Sequence, residues 1–195
     1  MGRRGTAARI ALPAVIVAVA TGLGACASRG EPDQPDRFTS TPSACQLVGP
    51  QKARQLTGAL HGKPRVQPTE TRSTCQWPAP PARVRGRPAP PPPPRTLSVA
   101  VTLHNAPVGQ DDVRGTDLAK QDYDKQHRHD RAGARAGLRG VADQAYGQFT
   151  DRGGHVVLRD GNVLVTIDRT SAAPQRDVRA QLVGAAKEVA ANLER

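Results

Sequence analysis

The stretch "DYDKQHRHD" (Asp122–Asp130) holds the most tempting chemistry in the chain: Asp122, Asp124, His127, His129 and Asp130 within nine residues. Carboxylates and imidazoles ligate cations and move protons near neutral pH. The spacing here serves neither task. A calcium loop needs a glycine at its turn and a closing glutamate, and both are missing. As zinc ligands, His127 and His129 stand two apart and do not share a helix face. We read the stretch as a solvated, charged helix and expect no metal and no cofactor. No Gly-x-Ser-x-Gly, His-Glu-x-x-His or glycine-rich phosphate loop occurs in the sequence. Catalytic groups meet in space rather than in sequence, so Asp and His side chains converging in a cleft would favour an enzyme. The sequence itself points to a non-enzymatic protein.

The three cysteines carry the other chemistry. Cys26 closes "LGAC" (Leu23–Cys26), after a basic start, Met1–Arg9, and an apolar run, Ile10–Ala20. That run has the length of a signal peptide and is short for a membrane span. The ending resembles the bacterial lipobox, in which small residues fit the peptidase beside the scissile bond and only a thiol can form the thioether to diacylglycerol. It implies a lipoprotein signal peptide over residues 1–25, cleavage between Ala25 and Cys26, and lipid on Cys26. The competing reading is an uncleaved signal anchor with an incidental cysteine. With Cys26 lipidated, Cys45 and Cys75 remain, and outside the membrane such a pair is normally oxidised. A two-cysteine metal site finds no His or Cys partner at ligand spacing.

Composition limits what can position these groups. The chain has 195 residues, enough for one domain with tails, and only 3% aromatic residues, so its core is aliphatic. Its net charge of +11 is unevenly spread: residues 96–195 hold 14 basic and 13 acidic side chains. Most of the excess lies before Cys26, with three Arg and no acidic residue, and in "PAPPARVRGRPAPPPPPR" (residues 78–95), with four Arg and no acidic residue. No basic run interleaved with aromatics appears, so nucleic acid is not an expected partner.

Residues 26–42 read as a lipidated flexible tether and residues 43–195 as the domain. Within the domain, residues 79–95 form a Pro/Arg-rich disordered insertion. That insertion is a solvated loop or a recognition strip for an aromatic-lined groove, and its charge favours an anionic surface. "CQLVGPQKARQLTGAL" (Cys45–Leu60) reads as a short helix with Pro50 in its first turn, Gly58 just past its end, and Leu47, Ala53 and Leu56 inward. "STCQW" (Ser73–Trp77) reads as a strand. Trp77 packs by the disulfide or contacts a ligand or partner. "TLSVAVTLH" (Thr96–His104) alternates, with Leu97, Val99, Val101 and Leu103 on one face. Gly115–Gly137 reads as a surface helix capped by Thr116, with Leu118 and Tyr123 as its apolar edge. Gly140–Thr150 turns into a strand with Ala145, Tyr146 and Phe149. "HVVLRDGNVLVTID" (His155–Asp168) reads as a hairpin turning at Asp160-Gly161. Beyond Pro174, Val178, Leu182, Ala185 or Ala186, Val189 and Leu193 make a helical stripe.

This order resembles a family of actinobacterial lipoproteins catalogued as domain of unknown function 3558. The resemblance rests on "LGAC", "ACQLVGPQKARQLTG", "TCQW", "LSVAVTL", "GVADQAYGQF", "VVLRDGNVLVTI" and the final helix. It implies a secreted, lipid-anchored α+β domain with Cys45 paired to Cys75, and brings no established activity. Residues 79–95 depart from the family pattern. We expect an α+β single domain, an antiparallel sheet with helices packed on it and one disulfide. It would sit at the cell membrane on the extracytoplasmic face, held by its N-terminal diacylglyceryl cysteine, and bind a small ligand or an envelope protein. The alternatives are a sensory or accessory module of a membrane protein, or an envelope hydrolase.

Overall fold

The computed structural model describes residues 36–59, 61–64, 68–78, 95–109, 112–130, 135–171 and 174–195. In chain order the elements are α1 (Pro50–Thr57), β1 (Lys63–Pro64), β2 (Arg72–Trp77), β3 (Thr96–Leu103), α2 (Gly115–His129), β4 (Arg135–Gly137), β5 (Gln144–Thr150), β6 (Gly153–Asp160), β7 (Val163–Thr170) and α3 (Gln175–Leu193). The strands make one seven-stranded sheet in the order β1-β2-β3-β7-β6-β5-β4, counting the two-residue β1 at its edge. Every neighbouring pair is antiparallel. The chain lays down one edge as far as β3, crosses through α2 to β4, and walks back until β7 closes beside β3. The expected α+β class and antiparallel sheet are what the chain forms.

Alternation decides which face is buried. Leu97, Val99, Val101 and Leu103 on β3 join Val156 and Leu158 on β6 and Val163, Val165 and Ile167 on β7 in the main core. The stripe of α3, Val178 to Leu193, and Ala53 and Leu56 of α1 cover that face. Pro50 begins α1 without needing an N–H partner, and Gly58, at φ 85°, ends it in the left-handed region that glycine enters freely. The opposite face carries a smaller cluster of Tyr146, Val157 and Leu164 under Tyr123 of α2.

Three expectations are corrected. First, the domain begins earlier than residue 43. The Asp36 carboxylate accepts hydrogen bonds from the Gly115 and Thr116 backbone N–H groups at 3.0 and 2.9 Å and from Thr116 Oγ1 at 3.0 Å. It caps α2 from a distant part of the chain, so Thr116 donates to the cap instead of forming it. Second, α2 ends at His129, because Arg135–Gly137 pairs with Tyr146–Gln148 as β4. Its buried edge is Ala119 and Tyr123, with Leu118 only half-buried.

Third, the β6–β7 turn is one residue later than expected. Asp160 pairs with Val163, so Gly161 and Asn162 form the loop. Positive φ occurs at Gly161 (56°) and not at Asn162, the pattern of a type II′ rather than a type I′ turn. Asn162 is fully buried. It accepts from the Phe38 N–H at 2.9 Å and donates to the Phe38 and His104 carbonyls at 2.9 and 3.0 Å. Beside it, Arg37 donates to Asp160 at 2.5 Å. Residues expected in the tether thus clasp the hairpin turn.

Candidate functional site

The β6–β7 register sets His155 directly opposite Asp168 on the face beneath α2. His155 Nδ1 lies 2.6 Å from Asp168 Oδ1, and its Nε2 lies 3.6 Å from Asp130 Oδ2 at the C-terminal end of α2. The same Asp130 oxygen accepts from the Tyr146 hydroxyl at 2.5 Å, and the Asp130 carbonyl accepts from Gln148 Nε2. The His127 ring meets Tyr146 edge-on with centroids 4.8 Å apart. Aspartates and histidines therefore converge, and their electrostatics define what they can do. Burial pulls the His155 pKa down, but the hydrogen bond to Asp168 and the charges of Asp168 and Asp130 outweigh it and leave the pKa raised. Burial pushes the neighbouring Tyr123 hydroxyl up to about 12, with Asp124 adding to the effect and Arg159 opposing it. The His155 ring is thus oriented by the hydrogen bond from Nδ1 to Asp168, while Nε2 faces Asp130 beyond hydrogen-bond distance.

Nearer the start of α2, His104 Nε2 lies 3.5 Å from Asp122 Oδ2 and makes no hydrogen bond. Burial lowers its pKa and Asp122 acts against that. The adjoining cleft, of about 490 Å³, mixes Asp122 and Asp124 with Lys125 and Arg128, so it presents no consistent charge.

A groove of about 460 Å³ beside α3 is different. Leu138, Val141 and Val183 floor it, Arg139, Arg176, Arg179 and Lys187 rim it, and no acidic side chain among the described residues lines it. Arg179 also stacks over the Phe149 ring at 5.8 Å, and Arg176 contacts Asp177 at 3.6 Å. An apolar floor lined by four cationic side chains suits an anion with an apolar body.

Cys45 and Cys75 form a disulfide, with Cα atoms 5.0 Å apart. Trp77 does not face a ligand. It is 1% exposed, in the core with Cys75, and Gly62 lies against both the indole and the Cys75 sulfur so closely that a Cβ would not fit. The contact role weighed for it gives way to packing. Ala25, Cys26 and the expected signal peptide, residues 1–25, lie outside the described residues, as do residues 79–94 of the expected Pro/Arg-rich insertion. Asp122 and Asp124 border the mixed-charge cleft, His129 is exposed on the end of α2, and only His127 and Asp130 of the charged stretch join the His155 cluster. Among the described residues, no group of three His, Cys, Asp or Glu side chains is arranged to hold a metal ion. None of their helices is long and apolar enough to cross a membrane.

Fold and sites together define an antiparallel α+β domain, disulfide-linked, with a basic groove on one helix and an acid–imidazole cluster under another. No family model, curated protein or solved structure matches the chain.

Proposed function

We propose that this is a non-enzymatic, lipid-anchored protein of the cell envelope, held at the extracytoplasmic face of the membrane by a diacylglyceryl Cys26, whose domain binds a small anionic ligand. The observation that carries the binding role is the groove beside α3. Its volume lies within the range of about 300–1,000 Å³ usual for ligand sites, and among the described residues its lining holds Arg139, Arg176, Arg179 and Lys187 and no carboxylate. The anchor rests on "LGAC" at the end of the apolar run and on the resemblance to the actinobacterial lipoproteins. The disulfide supports export, because such bonds persist in oxidising compartments.

The test is intact mass of the protein gently extracted from its own membranes, under native and then denaturing conditions. A lipidated chain starting at Cys26, with extra mass lost on denaturation and absent from an Arg179→Gln, Lys187→Gln variant, supports both parts. A chain that retains Met1–Ala25 overturns the anchor. A bound mass that survives the double substitution overturns the groove as the ligand site.

A further inference from the structure

Arg169 stands next to Asp168 on β7 but points the opposite way, into the main core, and is 5% exposed. Its Nη2 donates to the Leu56 carbonyl at the end of α1, at 3.3 Å. Its Nε and Nη1 have no hydrogen-bond partner, although a guanidinium is always charged and carries five donors. A buried cation normally sits against a carboxylate, because desolvating it alone is the costliest arrangement open to a side chain. Here no carboxylate pairs with it among the described residues, and the charge that acts on it is a second cation, Arg95. Thr96 pairs with Thr170 at the last rung between β3 and β7, and Arg95 and Ser171 are the next residues outward along the two chains. Ser171 is itself buried, and its hydroxyl also lacks a partner. Arg95 is exposed while Arg169 and Ser171 are buried, so the group runs from the surface where β3 begins into the core.

We infer that Arg169, with Arg95 and Ser171 at its outer side, is a receptor for a phosphate group, free or as a monoester. A dianion balances both guanidinium charges, accepts the forked Arg169 donors and takes the Ser171 hydroxyl proton in a hydrogen bond. This site shares no residue with the groove beside α3 and does not depend on that groove being occupied.

The experiment is thermal unfolding of the full chain in inorganic phosphate, acetate or chloride at matched pH and ionic strength. In phosphate the melting temperature rises by about 3–5 °C over chloride. Arg169→Met abolishes that rise and melts no lower than the unaltered protein in chloride, since it removes an unpaired charge. Arg95→Gln keeps a smaller rise, and Arg179→Gln keeps all of it. Should Arg169→Met not fold, the Nε–H resonance of Arg169 in the unaltered protein reads the same event, shifting saturably as phosphate is added. Equal rises in the unaltered and Arg169→Met proteins, or no rise and no shift in the unaltered one, overturn the site and leave water as the partner of Arg169. A rise in acetate equal to that in phosphate overturns the dianion.

Discussion

His155 and Asp168 face each other across the β6–β7 pair with Nδ1 and Oδ1 2.6 Å apart, and Asp130 closes on the other ring nitrogen. The raised pKa of His155 means the folded state holds its proton more tightly than the unfolded chain. The stabilisation is therefore complete below the unfolded value of 6.5 and is lost as pH rises through the folded one. Melting temperature should fall as pH climbs above 6.5 in the unaltered protein, and this slope should flatten in Asp168→Asn and vanish in His155→Gln.

His104 should act with the opposite sign. Its pKa is lowered, burial outweighing Asp122, so the unfolded chain takes up its proton first. The fold then loses stability as pH drops below 6.5. His104→Gln should remove this acid limb and leave the alkaline one intact, which melting curves of the two histidine variants at several pH values will separate.

Much of this fold can be read from the sequence, because its core-facing residues follow the periods of strand and helix. Leu97 to Leu103 alternate and Val178 to Leu193 recur every three or four residues, and both runs are buried as read. The His155 cluster was hidden by a one-residue error in the turn. With Asp160 and Gly161 as turn residues, Arg159 would face Asn162 and His155 would face Thr166. The actual register, Asp160 against Val163, brings His155 to Asp168. The signal that selects it is long-range: Asn162 is buried against Phe38 and His104, contacts that no local window contains. The cap on α2 escaped for the same reason, since Asp36 reaches Thr116 only once the chain has folded. Arg169 reads as a polar position on an alternating strand, and nothing in its neighbours announces a buried charge.

The clasp at the hairpin turn gives a further test. Asn162→Ala leaves the Phe38 N–H and the Phe38 and His104 carbonyls without their partner. Loss of this buried network should cost about 2–4 kcal/mol in chemical denaturation. The Phe38 amide should exchange with solvent far faster while amides in the middle of β7 stay protected.

Cys45→Ser should destabilise the domain without changing its fold. The bond spans a sequence separation of 30 residues, for which the chain-entropy relation gives about 3–4 kcal/mol. The melting temperature should fall by roughly 10 °C, as differential scanning calorimetry will show, and reduction of the unaltered protein should reproduce the fall.

Two glycines separate backbone need from mere composition. Gly153, at φ 148°, lies against the Arg169 carbonyl so closely that an added Cβ must displace the β6–β7 ladder. Gly153→Ala should cost about 3 kcal/mol or more. At Gly137 an added Cβ meets nothing within 4 Å, and Gly137→Ala should leave the urea midpoint nearly unchanged.

The sheet is also finished at both margins. One ends in β1, whose sequence is Lys63-Pro64, and the other in β4, three residues long. A proline has no N–H to offer a neighbouring strand, and a lysine resists being covered by one. Among the described residues, margins this short give an incoming chain few free amide groups to grip. These described margins then leave a second copy of the sheet little to pair with, and Pro64 withholds the amide that such pairing needs.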